Sequence, residues 1–130
     1  MKNEYGIVGV AHIGLPTNDL NKTIEFYKSL GFEVMLETYN EKTKEKVAFL
    51  QIQNYCIESF ENRQAAMTDG AYQHVALDVK DIESTYKKIC ENDYQVITDG
   101  IEELPFWENG VKFFMIKGPN EERIEFCQKL

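Results

Sequence analysis

The sequence predicts an α+β fold in which a β-α-β-β-β module occurs twice. Hydrophobic residues recur at helical spacing around residues 20–30 and 82–89, between stretches that read as strands. Shifted against itself by 62 residues, the chain places His12 on His74, Leu15 on Leu77, Asp19 on Asp81 and Thr23 on Thr85. The chain has two histidines, and the repeat matches them to each other. It also matches two Ile-Glu pairs, Ile57-Glu58 and Ile124-Glu125, at an offset of 67.

Each element has a local reason. Residues 7–15 read as the first strand. Asp19 is suited to cap the helix that follows, along which Leu20, Ile24, Tyr27 and Leu30 share one face, and Gly31 stops it. Residues 32–39, 47–53 and 55–60 read as three strands joined by short polar turns. The stretch 61–71, with Asn62, Arg63, Gln64, Asp69 and Gly70, reads as a linker. The second half repeats the order: a strand at 72–79, Asp81 as cap, Ile82, Tyr86 and Ile89 on one helix face, then strands near 95–98, 111–116 and 122–127. Phe32 falls on Tyr94 and Val34 on Val96 at an offset of 62, while Val47-Ala48-Phe49 resembles Val111-Lys112-Phe113 at 64. Drift of this kind is what loop insertions produce. The expectation is one domain over 1–130, with modules at about 5–61 and 71–128, neither stable alone because each is only half of a small chain.

Composition narrows the function. The chain of 130 residues is 43% hydrophobic and carries a net charge of −8, so nucleic acid and anionic membrane surfaces are repelled overall. Its basic cluster, Lys42 to Lys46, alternates with Glu41 and Glu45 and reads as a solvated turn. No apolar run is long enough to span a membrane, and the first residues, Met1 to Tyr5, lack the apolar stretch of a secretion signal. Cys56, Cys90 and Cys127 are odd in number and far apart, which argues against a disulfide framework and for a reducing cytoplasm.

Strand alternation places the ligands. His12 shares a face with Val10 and Gly14, and Glu58 shares one with Cys56 and Phe60. If each four-stranded sheet curls, its inner face presents one histidine from the first strand and one glutamate from the last. His12, Glu58, His74 and Glu125 then form a ligand set for one divalent transition metal, with nickel, zinc and cobalt all suited. Gly14 would leave room beside it. Cys56 and Cys127 share the glutamates' faces and read as small buried side chains. Phe106 and Trp107, after Pro105, suit either an aromatic wall over a substrate or packing under a loop.

The segments HIGLPTNDLNKTIEFYKSLGFEV, YQHVALDVKDIESTYKKI and GPNEERIEF resemble the vicinal oxygen chelate superfamily, which includes glyoxalases, CoA-ester epimerases, extradiol dioxygenases and antibiotic-resistance proteins. The resemblance covers nearly the whole chain and implies two βαβββ modules forming curled sheets around a metal site. The order His, Glu, His, Glu is similar to glyoxalase I, the lactoylglutathione lyase. Related epimerases carry glutamine at the position of Glu58, and the dioxygenases and fosfomycin-modifying enzymes use two histidines and one glutamate. By this resemblance the chain is a metal-dependent lyase or isomerase that detoxifies methylglyoxal. It removes a proton beside a carbonyl, and a metal stabilises the enediolate formed. Glu125 is implied as the base and Glu58 as its symmetric alternative. Small members pair as homodimers, so the site forms either within one chain or across two. A CoA-ester epimerase and a non-catalytic antibiotic-binding protein are the alternative functions.

One feature departs from the family. Lactoylglutathione lyases hold a glutathione carboxylate with an arginine shortly after the first histidine, where this chain reads His12-Ile13-Gly14-Leu15-Pro16. Arg63, Lys112, Lys117 and Arg123 are the cations left to replace it.

Overall fold

Two aspartates set where the helices begin. Asp19 and Asp81 both sit in extended conformation; Asp19 accepts from the Lys22 backbone N–H at 3.1 Å and Asp81 from that of Ser84 at 3.2 Å. Each such cap is worth about 1 kcal/mol. A second cap comes from a distant strand: Glu61 Oε1 accepts from the Leu20 N–H at 2.9 Å, and Gln128 Oε1 from the Ile82 N–H at 2.8 Å. Helix α1 (Leu20–Ser29) ends at Leu30, followed by Gly31 at φ +103°, whereas α2 (Ile82–Cys90) ends at Glu91 without a glycine.

The computed structural model describes residues 4–130; Met1, Lys2 and Asn3 of the polar N-terminal stretch lie outside the described residues. The chain divides into two units, Met1–Ala65 and Ala66–Leu130, the boundary falling inside the expected linker. In the first unit β1 (Ile13–Thr17), β2 (Glu33–Asn40), β3 (Glu45–Ile52) and β4 (Tyr55–Glu61) form a sheet of order β1-β4-β3-β2. Strand β1 runs parallel to β4 and the other pairs are antiparallel. Helix α1 buries Leu20, Ile24 and Tyr27 in a core shared with Ala48, Leu50 and Ile57. Each large aliphatic side chain there is worth about 1.5–3 kcal/mol in burial. The buried Ser59 hydroxyl donates to the Leu15 carbonyl at 2.9 Å, which satisfies it.

The second unit repeats this plan with β5 (His74–Asp78), β6 (Gln95–Val96), β7 (Glu102–Leu104), β8 (Val111–Lys117) and β9 (Arg123–Lys129). Its order is β5-β9-β8-β6, with β7 also on β8. Ile82 and Ile89 of α2 are buried with Phe114, Ile116, Ile124 and Phe126, and Tyr86 meets Phe114 edge-on at 5.0 Å. The α+β class and the two βαβββ modules are therefore as predicted. Among the described residues, no helix is long and apolar enough to cross a membrane.

Three details differ from the sequence reading. Strand β1 starts at Ile13 rather than at residue 7, and β5 at His74 rather than at 72. Strand β4 starts at Tyr55, so most of the stretch before β1 has no β4 residue beside it, and Val8 and Val10 are exposed. The second strand of module two is split: β6 and β7 both pair with β8, with residues 97–101 looped out between them. Finally, β3 matches β8 at an offset of 66, not 64. Phe49 pairs with Glu58 and Met115 with Glu125, so Ala48 and Leu50 correspond to Phe114 and Ile116.

Candidate functional site

Each unit brings one histidine and one glutamate together. In the first, His12 Nε2 lies 3.3 Å from Glu58 Oε1. In the second, His74 Nε2 lies 3.4 Å from Glu125 Oε1. Strand pairing produces both contacts. Ile57 and Ser59 point into the helix-side core, so Glu58 points to the opposite, open face; Ile124 and Phe126 place Glu125 the same way. The histidines reach these carboxylates from the starts of β1 and β5.

The donor set fits a metal. Bonds of about 2.0–2.2 Å to nitrogen and oxygen, at a tetrahedral angle, put neighbouring ligand atoms about 3.4 Å apart. His74 has further support, because its Nδ1 lies 3.1 Å from the Gln73 side-chain oxygen. When Nδ1 carries the proton and donates it to Gln73, Nε2 presents a lone pair toward Glu125, an arrangement suited to a shared cation. His12 is instead steadied by Phe49, ring edge to ring face with centroids 5.5 Å apart. Among the described residues, no group of three or more His, Cys, Asp or Glu side chains gathers as a metal site; each unit brings together two of the four expected ligands. Gly14 is not sterically required: a methyl there would make ordinary contact with Phe60 at 3.6 Å, and Ala76 stands at the matching position.

The open faces can be read as rows of paired residues. In the second unit, one row is His74, Arg123, Lys117 and Gln95; the next is Ala76, Glu125 and Met115; the third is Asp78, Cys127, Phe113 and Glu102. In the first unit, Gly14, Glu58, Phe49 and Leu36 share a row. Two residues before it on the same face, extending the register to His12, the row is His12, Cys56, Gln51 and Glu33.

Cys56 and Cys127 are partly rather than fully buried. Burial, with the Glu125 and Asp78 charges behind it, pushes the Cys127 thiol up to about 11, and its Sγ lies 3.7 Å from Asp78 Oδ1. Burial followed by the Glu58 charge raises Cys56 as well. Both thiols therefore stay protonated and unreactive at neutral pH.

The four cations proposed from sequence separate cleanly. Lys112 is bound on the helix side, 2.8 Å from Glu83 of α2 and 3.6 Å from Glu103. The Glu83 hydrogen bond raises the Lys112 ammonium and lowers the Glu83 carboxyl. Arg63 is exposed after β4, 3.8 Å from Glu61. Lys117 and Arg123 lie on the open face with His74. Parity along β8 already separates Lys112 from Lys117, since five residues between positions reverses the side. Phe106 and Trp107 are exposed in the β7–β8 turn, and Lys129 Nζ sits 4.0 Å from the Trp107 ring centroid. Trp107 lines a cavity of about 520 Å³ with Glu103, Glu108 and Leu130. Along β9 that turn lies beyond Cys127, while Glu125 lies before it. Two residues escaped the sequence reading: Gln73, whose signal was its place beside a matched histidine, and Asp69, which accepts from Arg123 Nε at 2.9 Å.

Known proteins share this fold. The sequence profile of the Glyoxalase/Bleomycin resistance protein/Dioxygenase superfamily matches residues 9–126. A Bacillus subtilis (strain 168) protein, "Uncharacterized protein YwbC", is 29% identical over 127 residues, covering 92% of this chain and 97% of its own. The V278E mutant of glyoxalase I from Zea mays superposes with a TM-score of 0.72 at 19% identity, over 91% of this chain and 43% of the maize chain. The fosfomycin resistance protein FosX of Listeria monocytogenes, complexed with Mn(II) and sulfate, superposes with a TM-score of 0.68 at 20% identity, over 95% of this chain and 94% of that one.

Proposed function

This chain belongs to the Glyoxalase/Bleomycin resistance protein/Dioxygenase superfamily, and from that premise we propose that it is a metal-dependent glyoxalase I-like lyase or isomerase. Its substrate is a thiol hemithioacetal or a similar small hydroxy-carbonyl compound, with methylglyoxal adducts the first class to test. The duplicated His–Glu pair, at 3.3 Å in one unit and 3.4 Å in the other, carries this reading. Half-exposed ion pairs stabilise a fold by only about 0–1 kcal/mol. Stability alone therefore does not explain why the same pair is built twice.

His12, Glu58, His74 and Glu125 are the residues to hold one divalent ion, nickel, zinc or cobalt. When bound, that ion supplies Lewis-acid stabilisation of the negative charge developing on the substrate's oxygens. Glu125 takes the proton from the carbon beside the carbonyl and returns it one carbon along. Its side chain is 16% exposed against 32% for Glu58, which shields the proton in transit from bulk water. Gln73 fixes the His74 ring. The protein works in the cytoplasm as a homodimer; support comes from the chain spanning 43% of the maize glyoxalase I chain, so that two copies are needed to approach its length.

The test is metal content after purification without chelator, together with thioester formation from methylglyoxal and glutathione, bacillithiol or CoA. Bound divalent metal and metal-dependent turnover are expected. Purified protein that holds no metal, and whose small-molecule binding is unaffected by His12→Ala, would mark a non-catalytic binding protein instead. Turnover of a CoA ester but not of hemithioacetals would mark an epimerase.

A further inference from the structure

We propose that Arg123 and Lys117 form an oxyanion subsite beside His74, and that the substrate carries a carboxylate or phosphonate group there. This proposal rests on the enzymatic reading above and narrows its substrate to small organic acids.

The register of the second sheet carries it. Arg123 pairs with His74 on one side and with Lys117 on the other, so the three side chains leave the same face in one row. Glu125 follows Arg123 by two residues on that face, about 7 Å along the strand. The third row, with Asp78 and Glu102, is acidic. The open face thus runs from cationic through Glu125 to acidic, and an anionic group is favoured at one end only. The matching row of the first unit holds Cys56, Gln51 and Glu33 and has no cation.

Both cations have carboxylate neighbours that leave them capacity. Asp69 takes the Nε–H of Arg123 at 2.9 Å, and Lys117 Nζ lies 3.3 Å from Glu121. An arginine has five N–H donors and a lysine three. Among the described residues, Asp69 engages the Nε edge and orients the guanidinium, leaving its terminal fork for a bidentate oxyanion. The side chains of Arg123 and Lys117 are 35% and 28% exposed, which keeps them open to a solute.

The experiment is a titration of the isotopically labelled, metal-free protein with acetate, methylphosphonate and uncharged acetamide, followed by NMR. Saturable shifts are expected at His74, Lys117 and Arg123 with an anion, and none at His12, Gln51 and Cys56. Preference between acetate and methylphosphonate identifies the group. Arg123→Gln and Lys117→Gln should each weaken binding about tenfold or more, and Arg123→Lys should recover part of the loss. Asp69→Asn, which removes the competing carboxylate, should tighten binding; a purely structural ion pair predicts no gain. The proposal is overturned if neither anion gives saturable shifts, if both units respond alike, or if Asp69→Asn binds no tighter while Arg123→Gln binds no weaker. Metal content of the wild-type protein as purified without chelator, measured before the metal is removed for this titration, tests the enzymatic reading separately. Anion binding without metal retention would sustain the subsite while sinking the lyase, and the reverse would do the opposite.

Discussion

In the first unit His12 and Glu58 stand beside Phe49, Cys56 and Gln51; in the second, His74 and Glu125 stand beside Met115, Arg123 and Lys117. The His–Glu pairs agree to within 0.1 Å in separation, 3.3 against 3.4 Å, while almost every neighbour differs. A metal bound by two like half-sets needs that sameness. A substrate with two unlike ends needs the difference. The repeat keeps the His–Glu contact in both units while the rows around it differ, and on the proposed reading the second unit is the one suited to polar contacts and proton transfer.

The sharpest way to break this comparison is to remove one carboxylate at a time. Glu125→Gln should lower kcat by about 10²–10⁴-fold, and Glu58→Gln by clearly less; equal losses in steady-state kinetics would make the two units functionally equivalent. On the helix side, Phe114 fills the place that Ala48 occupies in the first unit, both fully buried. Phe114→Ala should therefore destabilise the protein by about 3–5 kcal/mol in denaturant unfolding, and a loss below about 1 kcal/mol would show that α2 does not depend on that ring. Gln73 supports only the second histidine. Its replacement by Ala should weaken metal affinity by about 10–100-fold, measured by competition with a chromophoric chelator. The smallest effect belongs to Lys112→Met: bound to Glu83 on the helix side, it should leave the denaturant midpoint nearly unchanged and leave KM unchanged. A raised KM would place that lysine at the substrate after all.

Much of this was legible in the sequence, for local reasons. The caps Asp19 and Asp81 and the buried faces through Leu20, Ile24, Tyr27, Ile82 and Ile89 depend on neighbours a turn away. The His and Glu positions were legible because the repeat marked them twice. Strand limits were not, because β1 is confined to residues that have β4 beside them, a fact of pairing that no alternation encodes. The register of β8 was hidden by a chance likeness: Val47-Ala48-Phe49 resembles Val111-Lys112-Phe113, yet Ala48 stands where Phe114 does. Glu102-Glu103-Leu104 lacks strand patterning and pairs only because β8 offers an edge. The row of Lys117 and Arg123 followed from parity once the register was fixed.

We propose that the two His–Glu pairs serve one metal. Calorimetric titration of the metal-free protein with nickel, zinc and cobalt tests it most directly, using wild type, His12→Ala and His74→Ala. Tight binding by wild type, lost in either single variant although the histidines lie in different units, is the predicted result. Wild-type affinity in both variants, or loss in one alone, would contradict it.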